Sequence, residues 1–292
     1  MLTHFLYWMI TALVIYSSPG NLAAAQKERP IDVIEDNSFL IEEAYNQEPG
    51  VVQHIFTARY INDSRRRGWE FSFTQEWPIF SQNHQFSYTI PSYHLVENGD
   101  RQNGLGDVLL SYRYQLLEED ETKPALAPRF SLILPSGSRK RGTGHGGVGY
   151  EWGLPFSKKI TGRFALHANF GLTYLPNARA RLANGGLSSE HSLVSYNLAA
   201  SAIYAALHRV HLMLEWLGDF EESIDDSGRS QRSFKPVVSP GLRAAIVDQP
   251  MLQITAGAAA PIGLKRKAEN YGAFLYLSIE HDLFCEAFGF LR

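Results

Sequence analysis

Cysteine is all but missing. Cys285 is the only one among 292 residues, so no internal disulfide can hold the fold, and it reads as an inert apolar filler. An excess of either charge is missing too: 27 Lys and Arg against 30 Asp and Glu leave a formal net charge of −3, and no nucleic-acid partner is expected. Beyond the N-terminus there is no run of 18 consecutive apolar residues, which argues against a membrane-crossing helix. Apolar residues at 45 % and charged residues at 20 % also argue against a bundle of such helices. With one cysteine no C-x-x-C spacing occurs, and His145 stands alone in its Gly-rich loop, so no metal site and no cofactor are expected. The glycine-rich "GTGHGG" at 142–147 lacks the Lys-Ser/Thr ending and the following helix of a phosphate loop.

The N-terminus does carry an apolar run, "FLYWMITALVIY" at 5–16, followed by "NLAAAQ" with small residues at Ala23 and Ala25. That order is a hydrophobic region and an A-x-A cleavage site, so residues 1–25 read as a secretory signal peptide, although His4 is the only basic group before the run. The mature chain is expected to be exported.

What fills the rest is alternation. In "FALHANFGLTY", 164–174, Phe164, Leu166, Ala168, Phe170, Leu172 and Tyr174 take one face, while Ala165, His167, Asn169, Gly171 and Thr173 take the other. Period two of this length is a strand signal. It recurs in twelve segments: 51–60, 69–80, 85–95, 105–117, 126–134, 148–157, 163–175, 191–206, 210–220, 234–247, 251–263 and 270–284. Ahead of them, "SFLIEEAYNQE" at 38–48 reads as a short helix or a lead-in strand. The chain is all-β.

Connector lengths separate the all-β architectures. Long connectors at 97–104, 135–147, 176–189 and 221–232 alternate with short ones at 81–84, 158–162, 208–209 and 248–250. Short periplasmic turns alternating with longer outer loops are the mark of an up-and-down antiparallel barrel in the bacterial outer membrane. Ten steps of about 3.3 Å, tilted by about 40°, span roughly 25 Å, the height of the apolar band on such barrels. A secreted sandwich or soluble ligand barrel would also give one-faced strands, but not twelve long ones with ordered loops. The expected architecture is one transmembrane β-barrel over 50–292, preceded by a periplasmic lead-in at 26–49. Its surroundings would be outer-membrane lipid and lipopolysaccharide, whose phosphates "SRRRG" at 64–68 is placed to meet.

Three stretches then resemble one family. They are "NGLGDVLLSYRYQL" (103–116), "PALAPRFSLILPSG" (124–137) and "GTGHGGVGYEWGLPFSKKI" (142–160). They are similar to the outer-membrane family named after the meta-pathway of phenol degradation, with its Gly-x-Gly-Asp strand start (Gly104, Gly106, Asp107), its Leu-Pro-x-Gly strand end (Leu134, Pro135, Gly137) and its Gly-rich loop (Gly142 to Gly149). "FLIEEAYNQEPGVVQHI" (39–55) resembles the lead-in of many members. The resemblance implies a barrel that passes small aromatic or other organic compounds, with no catalytic residues. One departure is the C-terminus, "FGFLR", where such barrels usually end on an aromatic residue.

The inward phase nominates pore-lining candidates: Arg59, Glu70, Glu76, Asp107, Arg113, Arg129, Glu151, His167, Glu215, Arg243 and Glu280, with Asp219 and His211 beside them. Twelve strands lie between a barrel filled by its own side chains and one holding a water channel. An open lumen would favour passive passage of a small organic solute; a plugged one would favour a closed structural or adhesive barrel. A third reading, a barrel hydrolase, needs Ser and His in contact on the lipid face, and 188–197 offers Ser189, His191, Ser192 and Ser195. No enzyme is expected.

Overall fold

In a computed structural model the described residues are 36–63, 66–97, 99–180, 182, 185–225, 227–265 and 271–283. The signal peptide, Cys285, the C-terminal "FGFLR", and Ser64 and Arg65 of the basic stretch lie outside them.

The strands are β1 (Val51–Asn62), β2 (Arg66–Ile79), β3 (Ser81–Glu97), β4 (Asp100–Leu105), β5 (Val108–Tyr114), β6 (Ala125–Leu126), β7 (Arg129–Leu134), β8 (Gly149–Thr161), β9 (Phe164–Ala178), β10 (His191–Leu207), β11 (Val210–Ile224), β12 (Ser230–Gln249), β13 (Leu252–Ala259), β14 (Ile262–Gly263) and β15 (Tyr271–Asp282). Each pairs antiparallel with its neighbours, and β1 closes on β15 from Val51↔Asp282 to Asn62↔Tyr271. Three of the wall's twelve strands are broken in two, as β4 with β5, β6 with β7, and β13 with β14. The fold is a closed twelve-stranded antiparallel barrel. Closure satisfies every strand edge internally, which a wall facing hydrocarbon requires.

The barrel is polar inside and apolar outside. In β9, Leu166 and Phe170 are more than two-fifths exposed, whereas Ala165 and His167 are buried. Arg243 is the largest fully buried side chain, in company with Gln53, Gln85, His211 and Glu215. The apolar face of 164–174 therefore points outward, the arrangement expected of a wall immersed in lipid.

Two expected connectors are mostly strand. At 97–104 the chain turns within three residues and returns as β4; of 221–232 only 225–229 lies between strands. Both faces of these extensions are polar, so the hydrophobic pattern stops while the hydrogen-bonded ladder continues. In the connectors that remain, Asp120 and Asp225 hold the backbone by Asx-type bonds. The Lys123 and Thr122 N–H groups keep Asp120 well below the usual carboxylate range. The Ser227 hydroxyl, followed by the Arg229 N–H, lowers Asp225.

Residues 36–48 form neither helix nor strand. They run inside the barrel, where the N–H groups of Phe39, Leu40, Ala44, Asn46 and Gln47 donate to wall side chains.

Candidate functional site

The inner segment follows the wall round its circumference. Starting from Gln47 and moving back to Asp36, its partners come from strand after strand. Gln47 N donates to Gln85 Oε1 on β3 (2.9 Å), and Asn46 N to Gln115 Oε1 just past β5 (3.2 Å). Ala44 N donates to Ser157 Oγ on β8 (2.7 Å). Phe39 N and Leu40 N share Glu215 Oε1 on β11 (2.9 and 3.0 Å). Arg243 Nη1 on β12 donates to the carbonyls of Asp36 and Asn37 (2.7 and 2.9 Å). Tyr276 of β15 and Gln53 of β1 then donate to Asp36 Oδ1 (2.6 and 2.8 Å). Buried backbone amides left unbonded would be costly, and here inward-facing polar side chains supply their partners.

Arg113 holds the segment at three points. Its Nε donates to Asn46 Oδ1 (2.8 Å), Nη1 to Glu43 O (3.2 Å) and Nη2 to Tyr45 O (2.6 Å), with Glu76 Oε2 at 3.9 Å. An apolar seat holds the other end. Phe39 packs on Phe274 and Tyr276, with ring centroids 5.6 and 5.3 Å apart. Gly257 is what leaves room for it, since a Cβ there would lie 2.3 Å from Phe39 Cζ.

Most of these anchors lie toward the short-turn ends of their strands, so the segment fills the half of the barrel nearer the short turns. Above it is a cavity of about 340 Å³. Its floor is the segment itself, with Leu40, Ile41 and Glu42. Its walls carry hydroxyls bonded in cross-strand pairs, Thr74 with Thr89 (2.8 Å) and Ser111 with Ser131 (2.7 Å), and the amides of Asn169 and Asn197. Arg129 is gripped between Glu42 (2.9 Å) and Glu151 (2.6 Å) at its edge.

The nominated residues fall at four places. Glu76, Arg129 and Glu151 line the cavity, as does Asp219. Arg59 and Glu70 face each other in register nearer the mouth. Arg113, His167, Glu215 and Arg243 surround the inner segment, and Glu280 joins them through Gln53 (2.8 Å). Asp107 belongs to a latch instead. It accepts from Gly137 N (2.9 Å) and His145 N (2.7 Å), which draws the 135–147 loop onto the strand start. A Cβ at Gly144 would lie 2.5 Å from Asp107 Oδ1, so the three resembling stretches meet at one joint that needs small residues. We expect Asp107→Ala to speed trypsin cleavage at Arg139–Arg141 by about tenfold in limited proteolysis of the membrane-inserted protein, because local opening controls such cutting. An unchanged rate would mean that the loop is held by other bonds.

Inward charge alone does not single out the anchors Gln53, Gln85, Gln115 and Ser157, which are uncharged. All four are buried, and each shares the inward phase of a nominated residue on its own or an adjacent strand. Ser189 Oγ does lie 3.1 Å from His191 Nε2. Yet His191 is in phase with the buried Leu193, away from the lipid face, and no carboxylate among the described residues bonds it. Ser195 instead accepts from Glu222 N (3.0 Å).

A family model described as "Putative MetA-pathway of phenol degradation" matches residues 50–279. The chain belongs to that family. Comparison with curated proteins finds no match. Among solved structures, an outer-membrane channel from Pseudomonas putida F1 is similar, with a TM-score of 0.61 and 12% identity over 82% of this chain and 97% of that one. The NanC porin is similar with a TM-score of 0.51 and 11% identity, over 78% and 98%. At these identities the likeness is one of fold.

Proposed function

We propose that this protein is a conduit for small organic solutes across the bacterial outer membrane, reached by export under the N-terminal signal. The cavity above the inner segment carries the reading. At about 340 Å³ it is near the small end of ligand pockets, the size for a compact, single-ring molecule. Hydroxyls and amides on its walls and Leu40 and Ile41 on its floor suit a solute with one polar group and an apolar body. Arg59, Glu70, Glu76, Arg129, Glu151 and Asp219 are the groups such a solute would pass, and passage onward requires the inner segment to give way.

The segment itself favours a second reading, a closed barrel that supports the membrane and moves nothing. Solute influx into liposomes carrying the refolded mature chain separates the two. A conduit gives phenol-sized solutes faster influx than empty liposomes, falling off with solute size. Refolded protein with no influx of any solute would leave only the closed barrel.

A further inference from the structure

Resting on that reading, we infer that the lumen selects by charge, favouring cationic over anionic solutes. Among the described residues lining the cavity and its floor are four carboxylates, Glu42, Glu76, Glu151 and Asp219, and one guanidinium, Arg129. Glu42 and Glu151 both bind that guanidinium, so it is more than neutralised where it stands. Lys235, in register with Asp219, is ion-paired with Glu221. Nearer the mouth Arg59 and Glu70 balance each other.

Below, buried carboxylates and guanidiniums are packed together. Asp36, Glu43 and Glu215 gather round Arg243, Glu76 stands by Arg113, and Glu280 meets Gln53. Asp36 Oδ2 and Glu215 Oε2 are buried carboxylate oxygens with no hydrogen-bond partner.

Opposing charges exist at both ends. Arg139, Lys140 and Arg141 lie on the outer loop, where salt screens them over about 8 Å. At the periplasmic exit Lys158 and Lys159 flank Glu119. Neither group lines the cavity, where field lines concentrate between low-dielectric walls.

The test is the reversal potential of the full mature chain in planar bilayers under a potassium chloride gradient. We expect potassium to be preferred over chloride by about threefold or more at low salt. Asp219→Asn should move the ratio toward one, and Arg129→Gln should move it further toward potassium even if conductance also changes. Current with no preference, or with chloride preferred, overturns the inference and leaves the conduit standing. No current at all sinks the conduit, and this inference with it.

Discussion

Arg113→Ala is expected to raise solute influx at least tenfold while the barrel stays folded. The guanidinium holds Asn46 Oδ1 and the carbonyls of Glu43 and Tyr45, and it is the cation beside buried Glu76. Its loss strands a carboxylate and three acceptors at once. Breaking a buried ion pair by removing one partner costs about 3–5 kcal/mol. The wall strands remain joined by their ladders, so the inner segment, rather than the barrel, is where that cost is relieved. Since about 1.4 kcal/mol is a factor of ten in an equilibrium, the lower end of that range shifts the seated fraction roughly a hundredfold toward release. Arg113→Lys should fall between, because an ammonium cannot reproduce the fork that reaches three acceptors together. The check is influx into liposomes alongside the β-sheet circular dichroism band. An unchanged band with unchanged influx would show that the segment does not leave, or that it is not the barrier.

Gly257→Leu should open the lumen by a different force, and without altering any charge. The introduced side chain would occupy the space now taken by the Phe39 ring, which a bare Cβ already approaches to 2.3 Å. The carbonyl of Leu242, 2.9 Å from that Cβ, belongs to the hydrogen-bonded wall, so Phe39 is the neighbour that must move. Expelling a buried Phe gives up about 1.5–3 kcal/mol of burial, and each of its two aromatic contacts about 0.5–1.5 kcal/mol more. Influx should rise by more than tenfold, with the potassium-to-chloride ratio left as in the parent protein. Phe39→Ala should act in the same direction. The two changes made together should add less than their sum, because they remove one contact from its two sides. Strict additivity would mean that Gly257 has some other role.

Twelve strands, their order and their inside-out facing were legible in the sequence because a period of two with one apolar face survives in every wall strand. The strand extensions above the membrane were not: between Glu97 and Leu105, and again between Glu221 and Arg232, both faces are polar and no alternation remains to read. The lead-in was the harder case. "SFLIEEAYNQE" has the composition of a short helix, and nothing local says otherwise. What decides its course is a set of bonds to partners far along the chain, such as Leu40 to Glu215 and Asn37 to Arg243. The charged inward residues announced themselves by phase. Gln85, Gln115 and Ser157 shared that phase but looked like ordinary polar filling until the segment gave them something to bind.

The course of that segment also fixes how it can come loose. A strip sheared off a surface must break all its fastenings together, whereas one lifted from an end breaks them in turn. Here the fastenings run round the ring from Gln85 and Gln115 through Ser157 and Glu215 to Arg243 and Tyr276. A pull on the chain ahead of Asp36 therefore meets Tyr276 and Arg243 first and Gln85 last. The resting hold is the sum of many bonds, but the force needed to peel it is set by one anchor at a time.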